Sequence, residues 1–171
     1  MTRAKIIRSA ALLLAATLVG MANAATGPTV VKGFARIGTF QVQGGVIASA
    51  RSAFGTPSGQ TQTSSDCTLR WPGLTISFYT LANDKQCGSH SAFGEAKIAG
   101  PWVTDRGLRQ GDPVSRAKQL YADARKPGSS TASSIGLIVK TSPAIGDYGL
   151  SAVVAHGRLT ALLIEDPQGG E

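Results

Sequence analysis

Fifteen residues of this chain return without a gap further along it: GGVIASARSAFGTPS at Gly44–Ser58 becomes GDPVSRAKQLYADAR at Gly111–Arg125. Most positions differ, yet large and small residues fall in the same places. Ile47 aligns with Val114, Ala50 with Ala117, Ala53 with Leu120 and Phe54 with Tyr121. A second echo lays Phe93–Thr104 over Leu150–Ala161, with Gly100 on Gly157 and Trp102 on Leu159. Self-similarity of this kind limits the architectures open to the chain, because related segments adopt related folds. The expectation is two tandem units on one plan, 25–104 and 105–166, after a leader (1–24) and before a short tail (167–171).

The leader has the grammar of an export signal. Arg3, Lys5 and Arg8 form a basic start, Ala10–Val19 is a short apolar run, and Ala22-Asn23-Ala24 offers the small-x-small pattern that signal peptidase cuts. The apolar run falls short of the roughly 20 residues a membrane span needs. Sec export with cleavage near Ala24 and an extracytoplasmic, secreted product are therefore expected, with no transmembrane segment in the mature chain. Removing the leader changes the charge. The whole chain has 17 Lys+Arg against 10 Asp+Glu; without the three leader cations, fourteen face ten, a balance of +4. That is ordinary for a secreted domain, and nucleic acid is not an expected partner. Cys67 and Cys87 are the only two cysteines. In an oxidising compartment they are expected to form a disulfide.

Periodicity predicts the elements. Ala25–Phe40 reads as an extended lead-in. A helix follows Gly44-Gly45, with Ile47, Ala50, Ala53 and Phe54 on its inner face, and Gly55-Thr56-Pro57 stops it. Ser58–Asp66 reads as a polar loop. Cys67–Trp71 and Leu74–Leu81 read as strands around Pro72-Gly73, the second alternating Leu74, Ile76 and Phe78 with Thr75, Ser77 and Tyr79. Ala92–Ile98 and Trp102–Thr104 read as a hairpin about Ala99-Gly100-Pro101. In the second unit Asp112 is expected as the helix N-cap and Pro113 as its first residue, with Val114, Ala117, Leu120, Tyr121 and Ala124 inward. Pro127–Ser134 reads as a loop, Ile135–Lys140 as a strand, and Leu150–Ala155 with Leu159–Ile164 as a pair about His156-Gly157. Hairpin connections make the expected class α+β: two tandem units, each a helix followed by antiparallel strands. Whether the units share one sheet stays open.

The residues Gly45-Val46, Ala53-Phe54-Gly55 and Pro57, with Gly111-Asp112-Pro113-Val114 and Tyr121 in the second unit, carry a resemblance. So does Thr104-x-x-Gly107-Leu108-Arg109-x-Gly111-Asp112, the lead into the second helix. The pattern resembles the β-lactamase-inhibitor-protein-like (BLIP-like) superfold, which includes tandem-repeat secreted inhibitors and single-repeat outer-membrane assembly lipoproteins. It covers most of Gly44–Ile164 and implies a tandem α+β fold. The chain departs from both groups: it lacks the inhibitors' acidic hairpin motif and the lipidated Cys after the leader. No activity is carried over, since one fold hosts many functions.

Chemistry-bearing constellations are sparse. His90 lies in Gly88-Ser89-His90-Ser91 and His156 at a turn, and a small secreted hydrolase using either one is conceivable. No G-x-S-x-G elbow or H-E-x-x-H is present, and no catalytic set, metal site or cofactor is expected. Gly107-x-x-x-Gly111-Asp112 precedes a helix, but Asp112 would repel a phosphate there, so a capped helix start is the simpler reading. Arg106, Arg109, Arg116, Lys118, Arg125 and Lys126 form the densest basic region, read either as a solvated helix face or as a contact for an anionic partner. Trp71 and Trp102 read as core or as paired interface anchors, with Trp71, beside Arg70, the better interface candidate. The expected function is a secreted, non-enzymatic binding module that contacts a protein or an envelope component. Its candidate interface is Trp71, Arg70, Arg109, Arg116 and Lys118, on a frame held by the repeat pairs Phe54/Tyr121 and Ile47/Val114.

Overall fold

Apolar and polar residues alternate through Asp66–Trp71, Leu74–Phe78 and Glu95–Ile98, a pattern that favours strands, and strands dominate. The structure is a computed structural model that describes residues 27–80, 87–123, 131, 133–142 and 146–165. The leader, Leu81, Ala124–Lys126, most of the expected loop Pro127–Ser134 and the tail lie outside the described residues. In chain order the elements are β1 (Thr29–Lys32), β2 (Arg36–Ile37), β3 (Phe40–Gln41), α1 (Ile47–Phe54), β4 (Gly59–Gln62), β5 (Asp66–Trp71), β6 (Leu74–Tyr79), β7 (Ala92–Ile98), β8 (Trp102–Thr104), α2 (Val114–Leu120), β9 (Ser134–Ser142), β10 (Gly146–Ala155) and β11 (Arg158–Glu165). Strand accounts for 51% and helix for 13%. This corrects the expected class: the protein is mostly β with two sheets, not a tandem helix-plus-strands α+β fold. The helices are two turns each, too short to form a layer, and they serve as local covers on a sheet.

The larger sheet has seven strands in the order β4-β5-β6-β7-β11-β10-β9, all pairs antiparallel. Strands from both halves of the chain therefore lie in one continuous sheet, joined where β7 meets β11. The smaller sheet, β3-β2-β1-β8, contains a parallel β1–β8 pair. Here the structure differs from the expected hairpin of Ala92–Ile98 with Trp102–Thr104: the chain leaves β7 at Gly100 and pairs with the lead-in instead. Gly100 has another task. It lies against Gly73 in the β5–β6 turn, where a Cβ on Gly73 would sit 2.6 Å from the Gly100 Cα. The polar stretch expected as a loop supplies β4, the edge strand on β5. Its residues have no apolar alternation to betray it, since three of its four residues are exposed.

Both helix starts are held by backbone hydrogen bonds, and that of α1 also by the Ser49 hydroxyl, which accepts from Val46 N–H. Ile47 N–H donates to the Ser91 carbonyl and Phe93 N–H to the Gly45 carbonyl; Val114 N–H donates to Gly157 and Leu159 N–H to Asp112. The bonds from Ile47 and Val114 satisfy helix donors that would otherwise be orphaned, and those from Phe93 and Leu159 tie a strand to each helix entry. They also correct two expectations. Pro113, extended at φ −71° and ψ 152°, occupies the N-cap position, and the Asp112 carboxylate accepts from Arg109 N–H instead of capping α2. The counterpart of Phe93 is Leu159, not Leu150. The first echo thus holds at the helix starts, while the second is displaced along the strands.

One core links all the layers. The inner face of the large sheet offers Cys67, Leu69, Trp71, Leu74, Ile76, Phe78, Phe93, Ala96, Ile98, Leu150, Ala152, Leu159, Leu162 and Ile164. Against it pack Ile47 and Ala50 of α1, Ala117 of α2, Tyr121 and the small-sheet residues Val31, Ile37 and Phe40. Phe54 and Val114, from the repeat pairs, are partly buried at its margin. Phe54 stacks between Phe40 and Trp71 at 5.9 and 5.5 Å. Each large apolar side chain buried here contributes roughly 1.5–3 kcal/mol.

Candidate functional site: the open face of the large sheet

Residues that alternate with the core residues point to the opposite face, and no described element lies over it. Register sets out two rows. Gly59, Arg70, Thr75, Lys97, Leu163, Ser151 and Gly136 run side by side across all seven strands. Next to them run Thr61, Thr68, Ser77, Glu95, Glu165, Gly149 and Val139. The face is built of small hydroxyl residues and glycines, with a basic pair in one row and an acidic pair in the other. Thr68 and Ser77 hydroxyls hydrogen-bond across β5 and β6 at 3.0 Å.

Tyr79 is the most exposed aromatic side chain among the described residues, at 38%. Its ring lies on the β7 backbone at Gly94, where a Cβ would meet the ring at 2.6 Å. That seat fixes the ring on the open face. Burial, and then Asp66, Glu95 and Glu165, push its hydroxyl pKa above the ordinary value. Glu95 and Glu165 sit directly opposite each other across the β7–β11 seam. Burial first, and then the Glu95 charge, raise the Glu165 pKa. Opposed like charges on a strand pair are destabilising, and no cation lies within 4 Å of either carboxylate among the described residues. Beside Glu165 the face opens into a hollow of about 150 Å³, floored by Gly136 and Gly149 and edged by Ser134, Val139 and Ser151.

The expected interface residues do not converge. Trp71 is only 7% exposed, and its indole N–H donates to the Gly55 carbonyl at 3.0 Å. It closes the C-terminal end of α1 and is a core residue, not an exposed anchor. Trp102 is likewise buried. Arg70 does lie on the open face, at its β5 end. Arg109, Arg116 and Lys118 are exposed, but at α2 and the segment before it. Two of the four described basic residues there are engaged within the molecule. Arg116 lies 3.5 Å from Asp112. Arg106 pairs with Asp123, donates to the Leu120 carbonyl at 3.0 Å and stacks on Tyr121 at 4.8 Å. The hydrogen bonds that Arg106 donates to the Asp123 carboxylate raise its pKa further.

Cys67 and Cys87 form a disulfide, with Cα atoms 5.1 Å apart, tying β5 to the segment before β7. His90 is exposed and shares a 3.2 Å hydrogen bond with its neighbour Ser89. His156, at φ 51°, forms the β10–β11 turn with Gly157 at φ 73°. The two positive φ values are what a tight two-residue hairpin needs, which accounts for His156 as a turn residue. Neither ring has a carboxylate partner among the described residues, and no group of three His, Cys, Asp or Glu there is placed to hold a metal ion. No described helix is long and apolar enough to cross a membrane.

The residues that matter most on this face, Tyr79, Glu95 and Glu165, are not among the sequence-based interface candidates. The β6 alternation already turns Tyr79 away from the core. The meeting of Glu95 with Glu165 is set by a strand pairing between residues seventy positions apart, and nothing local announces it. Comparison with known proteins adds no relative: no family, curated protein or solved structure matches the chain.

Proposed function

We propose that this protein is an exported, non-enzymatic binding module that docks a protein partner on the open face of its seven-stranded sheet. The observation that carries this reading is the contrast between the two faces of those strands. One is sealed by two helices and a second sheet; the other is polar and has no described element over it, with an aromatic side chain and two opposed carboxylates near its centre. Tyr79 offers a large, rigid contact at low entropic cost, as interface anchors do. The Thr, Ser and Gly positions leave room for close approach of a partner backbone. The disulfide beside β5 suits an oxidising compartment.

The test is capture from the envelope fraction and culture fluid of the producing cells on immobilised protein. Ser77→Arg places a long charged side chain mid-face, while Arg109→Ala removes one far from it. The expected result is a partner retained by the parent and by Arg109→Ala and lost with Ser77→Arg. Capture indifferent to Ser77→Arg, or esterase or peptidase activity abolished by His90→Ala or His156→Ala, would overturn the reading.

A further inference from the structure

The hollow beside Glu165 stands apart from the rest of the open face because it joins a gap to an unanswered charge. Gly136 and Gly149 are neighbours on β9 and β10 of the open face, and without side chains they leave about 150 Å³ between Ser134, Val139, Ser151 and Glu165. Gly149 must be glycine for reasons of its own: its φ is 131°, and a Cβ would meet the Ile138 carbonyl at 2.2 Å. The backbone therefore keeps the gap open.

The described acids differ in how they are matched. Asp112 pairs with Arg116 and Asp123 with Arg106. Asp66 accepts from Thr63 and Ser65, and Asp105 from Gly33 N–H. Glu95 and Glu165, by contrast, have only each other across the seam. Lys97, the cation nearest in register, stands opposite Leu163 and pairs with neither. Lys140 is turned to the other side, where its ammonium lies over Phe34 at 4.8 Å. The fold thus opposes two carboxylates next to a hydroxyl-edged hollow, and among the described residues no cation pairs with either.

We propose that this hollow receives the cationic end of a lysine or arginine side chain presented by the partner on the sheet face, with Glu165 as its counter-ion. The inference rests on the docking reading above. The chemistry fits at each point. The glycine backbone and Val139 offer apolar contact to an aliphatic stem, as such side chains favour. Ser134 and Ser151 hydroxyls and the Glu165 carboxylate accept from the ammonium or guanidinium. The hollow opens to solvent and is roomy enough for the end of one long side chain. A cation here also relieves the repulsion between Glu95 and Glu165, so its binding removes a cost the free protein carries.

The test needs no partner. The purified protein is titrated with n-butylammonium and n-butylguanidinium chloride, with n-butanol as the neutral control, following backbone amide NMR shifts at constant ionic strength. Two variants separate charge from shape. Glu165→Gln removes the charge; Gly136→Val, at a glycine without positive φ, fills the gap and leaves every charge in place. Thermal unfolding checks that both are folded. The expected result is saturable shifts at Gly136, Gly149, Ser151 and Glu165 with both cations, on the order of millimolar for so small a ligand. Each variant should weaken them at least about tenfold, the scale of one charged hydrogen bond. Absence of localised shifts, equal shifts with n-butanol, or affinity unchanged in Glu165→Gln would overturn the proposal. Partner capture distinguishes the two levels. Loss with Ser77→Arg but not with Glu165→Gln or Gly136→Val sinks the hollow and leaves the docking face standing. Cation binding in the hollow with no capture sinks the docking face alone.

Discussion

The same seven strands present two faces that obey different rules. On the inner face Leu69, Ile76, Phe78 and Ile98 are fully buried, and a change at any one of them disturbs a shared core. On the outer face the adjacent residues Thr68, Ser77, Glu95 and Lys97 touch little within the molecule. They tolerate an unfavourable pairing, Glu95 against Glu165, that no core would accept. The difference teaches what each face must satisfy: the inner face admits only close apolar packing, whereas the outer face carries an opposed pair of carboxylates without loss of the fold.

That contrast can be broken from the inside first. Phe78→Ala should destabilise by about 3–5 kcal/mol, as buried Phe truncations do, and denaturant unfolding reads it. Tyr121→Ala, at a fully buried site, should fall in the same range, while its repeat counterpart Phe54→Ala, only partly buried, should cost less. Equal losses would mean that the two helices are anchored alike. Replacing both Cys67 and Cys87 with Ala opens a link between residues 20 apart and should cost about 3 kcal/mol through the unfolded chain. Trp71→Phe keeps most of the packing but removes the hydrogen bond to Gly55, with an expected loss of about 1 kcal/mol.

The outer face should respond in the opposite sense. Ser77→Ala should shift stability by less than about 0.5 kcal/mol. Glu165→Gln should stabilise at neutral pH by on the order of 0.5 kcal/mol, because it removes a like-charge pair from half-open surface. The pH dependence has a definite sign. The Glu165 pKa is higher folded than unfolded, so the folded state takes up the proton first as pH falls. Stability should therefore rise through the weakly acidic range towards the unfolded carboxylate value, and Glu165→Gln should lack that rise. The charged and titratable groups sharing the face are Glu95 and Lys97 on β7, Asp66 and Arg70 on β5, and Tyr79 on β6. A parent protein whose unfolding midpoint falls steadily on mild acidification would count against the pairing of Glu95 with Glu165.

Much of the local structure was legible in the residues. Leu74, Ile76 and Phe78 alternate with polar neighbours because a strand has two sides, and β6 is where they were expected. Gly55 and Pro57 stop α1 because one permits and the other enforces an exit. His156-Gly157 turns β10 into β11. The misplaced parts were those without a local cause. β4 carries no apolar alternation, because it is an edge strand lying in solvent. Trp102 has the same neighbours whether its strand folds back on β7 or pairs with β1; only the lead-in, some seventy residues earlier, decides. Trp71 was open to two readings, since a Trp at a hairpin bend serves a core or an interface equally well until its indole N–H finds Gly55.

By itself, the sequence determined much of the strand periodicity, the existence of the two helices and the stop of the first, and the residues fit for burial, because each depends on neighbours within a few positions; with two cysteines in the chain it also left one possible pairing. The tertiary structure alone decided that both halves share one sheet, that β8 joins the lead-in, and that Glu95 faces Glu165 beside a glycine hollow. Those outcomes depend on which distant strands meet and in what register. Register is chosen by the burial of the inner face, and the outer face receives its neighbours as a consequence.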